Sequence, residues 1–105
     1  MALTKVDLDT VEDTLGFDVD HDKSGLFTLN VISGAGTVVV ELSADGGTTW
    51  NATVFVKTTD TTRAYVATAA TTGMWEGTFG GINKIRVRKS VGSASCVVAF
   101  GLTEY

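Results

Sequence analysis

From residue 25 onward the apolar positions recur every second residue. Residues 26–32 put Phe27, Leu29 and Val31 on one side, and residues 37–43 put Val38, Val40 and Leu42 on one side with Glu41 and Ser43 opposite. Residues 84–89 turn Ile85 and Val87 one way and Lys84, Arg86 and Arg88 the other. A period of two belongs to a strand with one buried face. Residues 50–57 alternate Trp50, Ala52, Val54 and Val56 against Asn51, Thr53 and Phe55, and residues 63–69 form a weaker run that carries Tyr65 or Val66 inward. The last run, residues 94–102, sets Cys96, Val98, Phe100 and Leu102 against the smaller Ser95, Val97, Ala99 and Gly101.

Residues 74–79 are less regular, with Trp75 and Phe79 among Gly73, Gly77, Gly80 and Gly81, a composition that lets a ring pass close over bare backbone. About seven strands result, with an eighth if residues 15–19 pair as well. No helical stretch separates them, so parallel crossover units are excluded and antiparallel pairing is expected. Two packed sheets then bury the alternating faces, which predicts an all-β antiparallel β-sandwich of jelly-roll or Ig-like type over residues 23–105.

Residues 1–22 depart from this pattern. Val6, Leu8, Val11 and Leu15 fit neither a strand nor a helix well, and Asp7, Asp9, Glu12, Asp13, Asp18, Asp20 and Asp22 stand against Lys5 alone, a sum of −6. This segment reads as an acidic N-terminal arm that orders on docking. The remainder sums to +2.

Composition agrees with the periodicity. Seventeen threonines and fourteen valines suit a pleated, half-buried surface, and a chain of 105 residues is the size of one domain. The net charge of −4 disfavours nucleic acid, whose binding draws on cations neutralising phosphates. Cys96 is the sole cysteine, so no intramolecular disulfide can form, and a buried core thiol is expected. The first residues lack a basic segment followed by an apolar run, and no stretch nears the ~18 apolar residues of a membrane span. Synthesis in a reducing cytoplasm and no membrane partner are the expectations.

Ser43-Ala44-Asp45-Gly46-Gly47-Thr48-Thr49-Trp50 matches the Ser-x-Asp-x-Gly-x-Thr-Trp pattern of the Asp-box of sialidases and other β-propellers. A single copy in a chain this short cannot build a propeller. Its residues suit a hairpin staple: Asp45 takes amide hydrogen bonds, Gly46 and Gly47 supply positive φ, and Trp50 anchors the returning strand. Residues 18–25 place oxygen ligands at alternate positions like a calcium loop. Lys23 stands where that loop needs glycine, however, and Leu29 where it needs a closing glutamate. A solvated acidic turn is the expectation. His21, the only histidine, has no companion set for zinc or for activating a nucleophile, so neither cofactor nor catalysis is predicted. Asn51-Ala52-Thr53 is a glycosylation sequon only in form.

Lys84, Arg86 and Arg88 form a basic stripe. Such charges guard exposed strands against edge-to-edge pairing, or they make an interface whose counterpart is the acidic arm with Asp7, Asp9, Glu12 and Asp13, in the same chain or a neighbour.

The segment 37–50, with its V-x-x-S-x-D-G-G-x-T-W hairpin, and the segment Ile82-Asn83-Lys84-Ile85-Arg86-Val87-Arg88 resemble small virion proteins of tailed bacteriophages. In those proteins the hairpin is followed by a glycine-led strand, an I/V-R-V-R strand, a small-residue turn such as Val91-Gly92-Ser93-Ala94 and a last apolar strand. The resemblance covers about residues 25–102 and implies a capsid decoration or cement protein, made in the host cytoplasm and carried on the virion. It would dock in many copies on the major capsid protein or other virion proteins as a homo-oligomer on the particle. The alternative is a carbohydrate-binding or receptor-binding accessory module of the tail, using Trp75, Tyr65 and Trp50 as sugar platforms.

Overall fold

The computed structural model describes residues 3–34, 36–92 and 95–104. Among the described residues, ten strands and no helix make two antiparallel sheets packed face to face. The strands are β1 (Thr4–Leu8), β2 (Thr14–Asp18), β3 (Ser24–Gly34), β4 (Thr37–Ser43), β5 (Asn51–Ala52), β6 (Phe55–Lys57), β7 (Tyr65–Val66), β8 (Gly73–Gly80), β9 (Lys84–Val91) and β10 (Cys96–Glu104). The larger sheet has the order β1-β10-β3-β8-β6-β7, the smaller β2-β9-β4-β5. This is the β-sandwich that the alternation predicts.

The core forms where the inward faces meet. Phe27, Leu29 and Val31 of β3 face Val38 and Val40 of β4 and Ile85 and Val87 of β9, with Cys96, Val98 and Phe100 of β10. A chain of rings crosses the sandwich: Phe17 stacks on Phe100 at 5.8 Å, Phe100 tilts against Phe27 at 5.9 Å, Phe27 meets Phe55 at 6.2 Å, and Phe55 meets Trp75 at 6.4 Å. Each such side chain contributes about 1.5–3 kcal/mol by burial, and favourable ring pairs add about 0.5–1.5 kcal/mol. The ring over bare backbone in β8 is that of Phe27, directly opposite Gly77 in the β3–β8 ladder.

Residues 4–18 correct the reading of a detached arm. β1 runs along β10 from Thr4↔Phe100 to Leu8↔Cys96, and β2 runs along β9 from Thr14↔Arg88 to Asp18↔Lys84. Leu8 is wholly buried, and Val6, Leu15 and Phe17 pack against the core. The signal was diluted because two strands of five residues, on different sheets, are separated by the polar loop 9–13. Taken as one window, their periods do not match.

Residues 50–57 also differ from the single strand expected. The chain leaves the small sheet after Ala52 and joins the large sheet at Phe55, so the alternation breaks at Thr53 and Val54. Phe55 is therefore fully buried, whereas Val54 is half exposed. Neither Tyr65 nor Val66 turns inward. The buried member of that run is Ala69, which exchanges two hydrogen bonds of 3.0 Å with Val38. The turn through Ser93 and Ala94 lies outside the described residues.

Lys89 takes the inward parity of Ile85 and Val87 and is wholly buried at the far end of β9. Its Nζ donates to the Asp9 carbonyl at 3.0 Å, compensating part of the desolvation of the ammonium and tying the loop 9–13 to the small sheet.

Candidate functional site

The outer face of the small sheet gathers the charges that the sequence singles out. Cross-strand register puts Thr14, Arg88 and Val39 in one row, Gly16, Arg86 and Glu41 in the next, and Asp18, Lys84 and Ser43 in the third. Side chains of paired residues share a face, so the basic stripe of β9 runs between acids on both flanks. Glu41 Oε1 accepts from Arg86 Nε at 2.8 Å and from Arg88 Nε at 2.9 Å. Arg88 Nη1 reaches Glu12 at 2.7 Å, and Lys84 Nζ reaches Asp18 at 2.7 Å. Three cations thus meet three carboxylates, and the stripe carries no net charge.

Glu41 holds this network together. It is 8% exposed; burial pushes its carboxyl up, but the hydrogen bonds from Arg88 and Arg86 outweigh burial and hold it below its ordinary value. The same bond from Glu41 raises the Arg88 guanidinium. Arg86 also lies flat over the indole of Trp50, 4.0 Å from the ring centroid, a stacking that adds cation–π attraction to the ion pair.

Trp50 is placed by the hairpin before it. Asp45 Oδ1 accepts from the amides of Thr48 at 3.1 Å and Thr49 at 2.8 Å and from Ser43 Oγ at 2.8 Å, while Ser43 Oγ accepts from the Gly47 amide at 2.9 Å. The Thr49 amide is the largest of the interactions that lower the Asp45 carboxyl to about 2. Gly46 and Gly47 have φ of 78° and 97°, which side chains resist, and the indole Nε1 donates back to the Gly47 carbonyl at 2.9 Å. Asn83, just before β9, accepts from the Gly46 amide at 2.9 Å, so the turn and the basic strand are fixed to one another.

The remaining candidate acids lie apart from this face. Asp13 folds the loop 9–13, its carboxylate accepting from the amides of Asp9 and Thr10, both at 3.0 Å, and from the Thr10 hydroxyl. The Thr10 amide is the main cause of its lowered pKa. Asp7 accepts from the Ser95 hydroxyl, and Asp9 contributes its carbonyl to Lys89. Of the four candidate acids Asp7, Asp9, Glu12 and Asp13, only Glu12 meets the stripe; Asp18, from the same segment, also reaches it through Lys84. Glu41 was missed as its main partner; the signal was its outward parity on β4, two strands from the arm in sequence but adjacent to β9 in space.

The aromatic platforms divide. Trp75 is buried in the core between Phe55 and the Lys57 ammonium, 5.3 Å from its centroid, which removes it from the surface as a sugar-stacking ring. Tyr65 is 72% exposed beside a groove of about 260 Å³ that Arg63, Glu76, Val54 and Thr78 also line. Arg63 pairs with Glu76 at 2.8 Å there and sits at φ 54°, held by a turn in which Asp60 accepts from the Thr62 and Ala64 amides. A second groove, of about 300 Å³, runs over Gly16 between Trp50 and Thr14.

No protein-family model and no curated protein sequence matches the chain. Solved structures do share the fold. One is the SPBc2 prophage-derived protein YomS, with a TM-score of 0.66 and 16% identity over 98% of this chain and 96% of that one. Another comes from Bacillus endospore appendages, described as a novel family of disulfide-linked pili, with a TM-score of 0.59 and 13% identity over 98% of this chain and 83% of that one.

Proposed function

We propose that this chain is a structural protein of a bacteriophage particle, of the decoration or cement kind, docking in many copies on the major capsid protein of the head. The observation that carries this reading is the end-to-end likeness in fold to a prophage-derived protein, joined to the hairpin and basic strand that resemble phage virion proteins. The second likeness, to a pilus-forming protein, is to a chain that also works by assembly.

The surface chemistry supports a holding role. Asp45 and Glu41, the carboxylates with the best-built surroundings, are engaged by backbone amides and by two guanidinium groups, positions that fix geometry. A neutralised, rigid sheet face can dock on a repeating lattice, where avidity over many copies offsets a small individual contact. Imaging of purified particles tests the reading: copies in symmetric, high number on the shell support it, and heads devoid of the chain end it.

A second reading, a glycan-binding accessory module of the tail, is favoured by Tyr65, whose ring stands open beside the Arg63–Glu76 pair. Glycan binding lost in Tyr65→Ala, with the fold intact, would promote it over the first.

A further inference from the structure

We infer that β1 is a self-complementary edge through which two copies of this chain join, β1 against β1, antiparallel about a twofold axis at Val6. The inference is independent of the particle role proposed above, since it concerns the isolated chain in solution.

β1 is the terminal strand of the six-stranded sheet and pairs with β10 alone among the described residues. One side of its backbone therefore offers a row of N–H and C=O groups to another strand. Proteins commonly blunt such edges with proline, a bulge, an inward charge or very short length. The other terminal strand of this sheet, β7, and the edge β5 of the small sheet are two residues long. β1 is five residues long, contains no proline, follows β10 in unbroken register, and turns Val6 and Leu8 inward. Its guard is limited to the outward residues, Lys5 and Asp7.

Those two residues have opposite sign and are two positions apart. Antiparallel pairing about Val6 sets Lys5 opposite the partner's Asp7 and Asp7 opposite the partner's Lys5, with Val6 facing the partner's Val6. The arrangement forms two cross-strand ion pairs from one strand sequence, as an isologous contact requires. Among the described residues Lys5 enters no salt bridge within the chain, so its charge is available. Asp7 meets Ser95 through Oδ1, which leaves Oδ2. The same operation on β2, the remaining five-residue edge, sets Thr14 opposite the partner's Asp18 about Gly16 and yields no ion pair, and Asp18 is already held by Lys84. The charge pattern singles out β1.

Sedimentation of the full chain at low ionic strength, up to about 1 mM, the weak end of specific association, tests this. The wild type is expected to form a dimer that weakens as salt screens the pairs. Lys5→Asp, which sets a second carboxylate against the partner's Asp7, weakens the dimer about tenfold or more. Asp7→Lys does the same with two cations. An equimolar mixture of these two variants associates as a heterodimer, and the double variant K5D/D7K regains the homodimer. Circular dichroism checks that each variant is folded; if Asp7→Lys unfolds through loss of the Ser95 contact, Lys5→Asp and Lys5→Gln decide alone. A wild type that stays monomeric throughout, or a folded Lys5→Asp dimer as tight as wild type, overturns the inference.

Discussion

Gly77 lies directly under the ring of Phe27: a Cβ there would stand 2.4 Å from Cζ and 2.6 Å from Cε2 of that ring, and 3.1 Å from the Val54 carbonyl oxygen. The ring belongs to the middle of the aromatic chain and touches both Phe55 and Phe100, so it has little room to swing aside. Gly77→Ala is therefore expected to cost about 1–3 kcal/mol by overpacking. For a domain of this size each kcal/mol lowers the melting temperature by about 4–8 °C. Thermal denaturation followed by circular dichroism measures it, and a melting point unchanged within error would show that the ring yields.

Removing Glu41 leaves Arg86 and Arg88 side by side without the carboxylate between them. Glu41→Ala should destabilise the domain by about 2–3 kcal/mol, the range for charge-assisted hydrogen bonds lost from a mostly buried acceptor. Urea denaturation supplies the number. Glu41→Gln should recover part of it, since the amide oxygen still accepts from one guanidinium.

Acid should unfold this protein in a defined window. Glu41, Asp13, Asp45 and Asp60 all titrate below their ordinary values of 4.5 for glutamate and 3.8 for aspartate. The unfolded chain thus binds protons more readily than the folded one, and stability falls as pH falls. Each group contributes in full above its ordinary value and loses that contribution as pH drops through its folded value, which for Asp45 is about 2. Urea midpoints should be level towards neutral pH and decline from about 4.5 down to about 2. Asp45→Asn should begin less stable at neutral pH and decline less steeply at the acid end; parallel curves for variant and wild type would contradict the assignment.

The Cys96 thiol is 1% exposed, and its burial raises its pKa. Both properties suppress the reactive thiolate. At pH 8 the native protein should react with a thiol reagent only as fast as it opens, and the unfolded protein in urea should react at once. Comparable rates in the two states would place the sulfur at the surface.

Much of the fold could be read from parity alone. β4 occupies residues 37–43 as the alternation of Val38, Val40 and Leu42 predicts, and β9 begins at Lys84 with Ile85 and Val87 inward. Parity fails where a strand changes sheets: between Ala52 and Phe55 the chain crosses the sandwich, and a rule that assumes one continuous face puts Phe55 on the wrong side. It fails again where strands are short, as in β1 and β2. The charged face was legible in its basic half, because Lys84, Arg86 and Arg88 lie on one strand. Its acidic half comes from Glu41, Glu12 and Asp18, which only tertiary pairing assembles.

The loop 9–13 spans from the rim of one layer to the rim of the other, so a single short stretch of polypeptide hems both. A protease cut there would leave each half of the hem still stitched along its own strand. Loss of everything through residue 18 would be far worse, baring β10 and β9 together, and a fragment of that kind would be sticky along two lines at once.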